Sequence, residues 1–187
     1  MAKKRRVFEQ GHARKLLVIV DETPEVEGAL FYAAGRVQHA GGRVQLLYVI
    51  EPENQFWEGV RQAQLEEQTN KARAVFRLLR RELNNKGFEG VVTEEVIREG
   101  KKAEEILKQI DDDEDVSVQV LGASTEAAGP GPLVAAFTGG TIQIPVSIVP
   151  GDSPIEDIKA TGVSRSAVRP TSRMPQARAH ADAAAPF

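Results

Sequence analysis

Val116-Ser-Val-Gln-Val-Leu121 runs directly into Gly122-Ala-Ser-Thr-Glu-Ala-Ala-Gly-Pro-Gly-Pro-Leu-Val-Ala-Ala-Phe-Thr-Gly-Gly140. The first segment is an apolar run of strand length. The second is a glycine-rich loop that contains a short apolar helix pattern, Leu133 to Phe137. A strand, a glycine loop and a helix start, in that order, make a cradle for an anion. Glycines let the backbone approach a phosphate, and free N–H groups at a helix N-terminus favour negative charge. The reading of the chain turns on whether this cradle holds a nucleotide.

The same alternation extends towards the N-terminus. Leu16-Leu-Val-Ile-Val20 is a continuous apolar run ended by Asp21, the signature of a strand buried on both faces. Thr23-Pro24-Glu25 supplies a helix start: a hydroxyl cap, a proline in the first turn and acids near the positive end of the dipole. Apolar residues from Val26 to Val37 recur at helical spacing, and Gly41-Gly42 stops them. Val44 to Ile50 reads as a second strand. A long helix is expected from about Val60 to Lys86, with Leu65, Ala72, Phe76, Leu79 and Leu83 as its buried stripe.

Val91 to Ile97 is the third strand. Ala103, Ile106, Leu107 and Ile110 mark a short helix, ended by Asp111-Asp-Asp-Glu-Asp115. Those five acids lack the spacing and glycine of a calcium loop, so a solvated loop is expected. Val116 to Leu121 is the fourth strand and Ile144 to Val149 the fifth, with Pro145 suited to a strand start or an edge. Strands and helices alternating in this way imply a mostly parallel sheet with helices on both faces. Ligands of such sheets lie beyond the carboxyl ends of the strands, where Asp21, Val49 and Gly122 stand.

Composition sets the outer limits. The 187 residues suit one domain. With no cysteine, disulfides, thiolate zinc sites and thiol nucleophiles are excluded. The apolar run after Lys3-Lys-Arg-Arg6 is five residues long, too short for a signal peptide or a membrane span. A soluble, cytoplasmic chain is expected. Of 24 Lys/Arg and 27 Asp/Glu, residues 1–15 take six and one, and residues 151–187 take five and four. Thirteen and twenty-two remain for residues 16–150, a net of −9. An acidic body does not attract nucleic acid. Residues 1–14 read as a basic disordered arm, 15–150 as the folded domain and 151–187 as a disordered tail poor in large apolar residues, Ile155 and Ile158 excepted.

Four segments together resemble the universal stress protein family: Leu17 to Asp21 with Thr23, Gly42 to Ile50, Val96 to Ile106, and Gly122 to Pro150. The resemblance covers about Lys15 to Pro150. It implies a five-stranded parallel sheet of order 3-2-1-4-5 (adenine nucleotide α-hydrolase-like), a homodimer through Ile144–Val149 and, in many members, ATP bound through Gly-x2-Gly-x9-Gly-[Ser/Thr]. ATP or AMP is therefore the implied ligand. Carried over to this chain, Asp21 and Val49 would hold the adenosine part, and Gly122, Gly129, Gly139 and Gly140 would lie near the phosphates. The match departs from the motif at three points. Glu126 stands where the family has glycine, Gly140 stands where it has a hydroxyl residue, and Pro130 and Pro132 remove two N–H donors. A carboxylate at Glu126 repels phosphate.

Phosphoryl transfer needs a charge clamp and a metal-holding group near the phosphates. No Gly-x4-Gly-Lys-[Ser/Thr] occurs, and no Lys or Arg lies between Gly122 and Gly151. His12 and His180 fall in the terminal segments, and His39 ends a helix. The expectation is a non-catalytic stress-response protein with a weak adenine-nucleotide site. The alternative is an ATP-binding or ATP-hydrolysing stress-signalling enzyme.

Overall fold

In the computed structural model, which describes residues 4–52, 58–125, 129, 131–138 and 142–162, each apolar run becomes a strand of one sheet. The elements in chain order are β1 (Lys15–Val20), α1 (Glu25–Ala40), β2 (Arg43–Ile50), α2 (Glu58–Asn85) and β3 (Thr93–Glu99). Then follow α3 (Lys102–Asp112), β4 (Val116–Ala123), α4 (Pro132–Thr138), β5 (Val146–Pro150) and α5 (Ile155–Gly162). The strand order is β3-β2-β1-β4-β5 and all pairings are parallel, as the resemblance implied. Val18, at the centre, lies opposite Leu46 on β2 and Val120 on β4.

Side chains on a strand alternate between faces, so the continuous apolar runs feed two cores. Leu16, Val18, Val20 and Leu46 pack with Phe31 of α1 and Phe76 of α2. Leu17, Ile19, Leu47 and Val49 pack with Ile106 of α3 and Phe137 of α4. The stripe read on α2 is buried at Ala72, Phe76, Leu79 and Leu83, and Leu65 packs against it half-buried. After α1 the chain turns through Gly42, which has φ +112°, and a Cβ there would run into the Arg14 carbonyl. The Arg43 N–H donates to that same carbonyl at 2.8 Å, so only glycine fits the approach.

A polar network joins the amino ends of the strands and runs along α3 to Arg98 near the end of β3. Lys15 Nζ lies 2.8 Å from Asp113 Oδ2 and 2.9 Å from Glu94 Oε2. Gln45 Nε2 donates to Asp113 Oδ2 at 2.9 Å, Gln109 Nε2 to Gln45 Oε1 at 3.0 Å, and Arg98 Nε to Gln109 Oε1 at 2.8 Å. Burial pushes the Asp113 carboxyl up. Hydrogen bonds from Lys15, Gln45 and the Asp115 N–H outweigh it and hold Asp113 below the usual carboxylate range. Burial likewise opposes Glu94, which Lys15 and Arg43 hold down, while Asp113 and Glu94 hold Lys15 above its ordinary value. The acid run at 111–115 is thus partly a structural joint and not wholly the solvated loop expected from composition.

The folded body also extends past both expected boundaries. Arg5 Nη1 donates to the carbonyls of Ile110 (2.5 Å) and Asp113 (2.9 Å), meeting the negative end of α3. His12 Nδ1 stands 2.6 Å from Asp115 Oδ1. Residues 4–14 are therefore tied to the acid run and are not a free arm. Beyond β5, α5 packs on α1 and buries Ile158 against Gly28. Part of the expected disordered tail is a helix, because Ile155 and Ile158, three apart, share one face. Residues 163–187 lie outside the described residues.

Smaller differences have local causes. Thr23 does not cap α1, whose N-cap position is Pro24 without a side-chain cap. The Thr23 hydroxyl goes to Asp21 instead. The fifth strand begins at Val146 and not at Ile144. Pro145 has no N–H to add to the ladder, and its carbonyl receives the Gln119 N–H at 2.9 Å. Among the described residues, no helix is long and apolar enough to cross a membrane.

Candidate functional site

β2, β1 and β4 are neighbours, so Val49, Asp21 and Gly122 stand in a row along the carboxyl edge of the sheet. Asp21 is the first residue after β1. Its Oδ1 accepts the Thr23 N–H at 3.0 Å and the Thr23 hydroxyl at 2.6 Å. This turn, typical of an aspartate whose side chain bonds the backbone two residues on, leads the chain into α1. One carboxylate oxygen is thereby committed, and the residue stays half-buried.

Val49 packs in the core beneath α3 and α4. It also lines a cleft of about 140 Å³ with Tyr48, Glu51, Arg61, Leu65 and Glu99 among its walls. Around this cleft several polar groups are paired. Tyr48 donates its hydroxyl to Glu22 Oε1 at 3.3 Å, and Lys71 Nζ reaches the same oxygen at 2.6 Å. Arg61 lies 2.8 Å from Glu99, and Glu51 Oε1 accepts the Lys102 N–H at the start of α3 at 2.9 Å. The cleft mixes apolar walls, Val49, Ile50 and Leu65, with one cation, Arg61, and two carboxylates, Glu51 and Glu99.

Gly122 ends the row on β4. A Cβ there would meet the Glu25 carbonyl and stand 2.8 Å from Glu25 Cβ. Its glycine lets the first turn of α1 lie against the strand end. Gly129 and Gly131 have φ +115° and +96°, the left-handed region that glycine takes without strain. Gly129 has open space around it, and Ser124 Cβ lies 3.7 Å from a Cβ built on Gly131. The structure thus brings together Asp21, Val49 and Gly122, and shows Gly129 in the left-handed region. Glu126, Gly139, Gly140 and Thr141 lie outside the described residues.

Two residues join the site that sequence reasoning did not place there, Glu25 and Gly151. A Cβ on Gly151 would stand 2.5 Å from the Ala123 carbonyl, 2.6 Å from Glu25 Cγ and 3.1 Å from Thr125 Cγ2. The Glu25 side chain therefore lies across the start of the loop that follows β4. Its carboxyl is held below the usual range, first by its own backbone N–H. Burial opposes this, and the Thr23 hydroxyl (which Asp21 shares), the Thr125 N–H and the Ser124 hydroxyl reinforce it. A carboxylate of the protein itself thus stands at the head of the glycine loop. The sequence marked Glu25 only as an acid suited to the helix dipole.

The universal stress protein family model matches residues 12–135. No curated protein matches the chain. Several solved structures share the fold. The universal stress protein UspA from Lactobacillus plantarum is 15% identical with a TM-score of 0.59, covering 75% of this chain and 99% of its own. A universal stress protein from Archaeoglobus fulgidus is 17% identical with a TM-score of 0.55, covering 78% and 99%. A universal stress protein in complex with cAMP is 16% identical with a TM-score of 0.54, covering 74% and 98%.

Proposed function

The chain belongs to the universal stress protein family, and on that premise we propose that it is a non-catalytic stress-response protein that grips an adenine nucleotide by its adenosine end and only weakly by its phosphates. The cAMP complex of a solved family member supports an adenine nucleotide as the ligand class for this fold. The observation that carries the weak phosphate end is Glu25. Its side chain lies beside Thr125 at the start of the loop, where the Thr125 N–H and the Ser124 hydroxyl help hold its carboxyl low and where a phosphate entering the loop would come. A phosphate placed there also meets a like charge. The loop offers no Lys or Arg to offset it, since none occurs between Gly122 and Gly151.

The adenosine part fits the other half of the row, where Asp21 keeps one carboxylate oxygen uncommitted by the turn and Val49 lines the cleft. Titration calorimetry with ATP, AMP and adenosine tests the reading. Binding of comparable strength for all three supports it. ATP hydrolysis by the purified protein, above that of a Gly122→Val variant, would favour an enzyme instead.

The same reading has the protein as a cytoplasmic homodimer. Among the described residues β5 pairs on one side only, with β4, and Ile148 is 41% exposed. An apolar edge strand invites pairing with another chain unless it is covered. Sedimentation at micromolar concentration should give a dimer that Ile148→Lys converts to a monomer. A monomeric wild-type protein would refute this assembly.

A further inference from the structure

The outer face of α2 carries an arginine ladder. Arg73, Arg77 and Arg81 are exposed and stand four residues apart, one above the other on the helix surface. Their neighbours on the same helix are paired: Lys71 with Glu22 at 2.6 Å and Arg80 with Glu95 at 3.3 Å. Among the described residues, no carboxylate lies within 4.0 Å of Arg73, Arg77 or Arg81. Like charges at this spacing destabilise a helix slightly, so the ladder is a local cost without an internal compensation. It also stands out against the net of −9 over residues 16–150. Leu78, 61% exposed, sits beside Arg77 and one turn from Arg81.

We propose that this face of α2 is a docking surface for an acidic amphipathic helix of a partner protein, with carboxylates one turn apart facing Arg73, Arg77 and Arg81 and an apolar side chain on Leu78. The spacing argues for a helix. The three arginines span eight residues, about 12 Å along the axis, and repeat close to the helical pitch. A facing helix with acids at every fourth position meets them in register. Guanidinium groups take carboxylates in bidentate geometry, which gives direction as well as attraction. Leu78 supplies the apolar contact that a peptide uses and a phosphate chain does not. A nucleic acid is disfavoured because the acidic body flanking so short a stripe repels a long polyanion. This surface lies on α2 and does not depend on the nucleotide reading.

The test uses the full chain and a fluorescein-labelled, alanine-based peptide of about 20 residues, long enough to hold a helix. The peptide carries Glu at every fourth position and one Leu beside that row. An isomer of the same composition has its Glu residues spread round the helix. Anisotropy should show binding that weakens as salt rises, because exposed pairs are screened. The isomer should bind less tightly. Arg73→Ala with Arg77→Ala and Arg81→Ala should lose about tenfold or more in affinity. Alanine favours helix, so far-UV circular dichroism of the triple variant should match wild type, and its melting temperature should be equal or higher. Absence of binding, equal binding of the isomer, an unchanged triple variant, or tighter binding of a single-stranded oligonucleotide than of the peptide would each overturn the proposal.

Discussion

Gly151 lies against the side chain of Glu25. A Cβ built on the glycine would stand 2.6 Å from Glu25 Cγ and 2.5 Å from the Ala123 carbonyl. The first turn of α1 is thus clamped between the ends of β4 and β5, with Gly122 on one side and Gly151 on the other. Because one obstacle at Gly151 is backbone, a side-chain rotation cannot relieve it. Gly151→Ala and Gly122→Ala should each destabilise by about 1–3 kcal/mol, as overpacking does. Thermal melts should show a drop of several degrees for a chain of this size. Unchanged melts would mean that α1 does not sit where the structure puts it.

The network at the amino ends of the strands sets a pH dependence. Asp113 and Glu94 have carboxyls held below their ordinary values. Their contribution is present above the unfolded carboxylate pKa, about 4, and is lost as pH falls through the lower folded values. Lys15 is held above its ordinary value, so its contribution is present below the unfolded lysine pKa, about 10.4, and is lost only as pH rises through the folded value. Stability should be level around neutrality and fall as pH drops below about 4. Denaturant melts from pH 7 to pH 3 measure this. Asp113→Asn should be less stable at pH 7 and lose less on acidification, and an identical acid slope would contradict the assignment.

Ile158 anchors α5. It is 5% exposed, with its Cδ1 3.4 Å from a Cβ built on Gly28, and Val149 borders the same spot. Ile158→Ala should cost about 2 kcal/mol, at the low end for burying an isoleucine in a core, because the helix lies at the edge of the body. Truncation after Gly151 should lower the melting temperature at least as far. A truncated chain as stable as the whole would show that α5 adds nothing.

What could be read from the sequence was what local pattern controls. Leu16 to Val20 was legible as a strand because a continuous apolar run of that length has few other uses, and Val44 to Ile50 and Val116 to Leu121 because apolar residues dominate short runs broken only by Gln45, Ser117 and Gln119. The row of Val49, Asp21 and Gly122 followed from where those strands end. Contacts between distant segments were not legible. Glu25 reaches Thr125 one hundred residues later, and Arg5 reaches Ile110 at the far end of α3. Nothing in the composition of either segment announces its partner. α5 had a signal: Ile155 and Ile158 were the large apolar residues of an otherwise poor tail, but two residues do not reveal what they cover. The arginine ladder was visible as charge on a helix, and only the missing carboxylate partners set it apart from a solvated face.

In the proposed adenine-nucleotide site the chain's own Glu25 weakens the phosphate end. Calorimetry on the wild type and Glu25→Ala, with ATP, AMP and adenosine and with magnesium present, tests it most directly. A charge-assisted hydrogen bond is worth about 1.5–3 kcal/mol, roughly ten- to a hundredfold in affinity. The wild type should bind ATP weakly and within about tenfold of AMP, while Glu25→Ala should tighten ATP by about tenfold or more and leave adenosine unchanged. Tight, magnesium-dependent ATP binding by the wild type, or no gain for ATP in Glu25→Ala, would contradict the account.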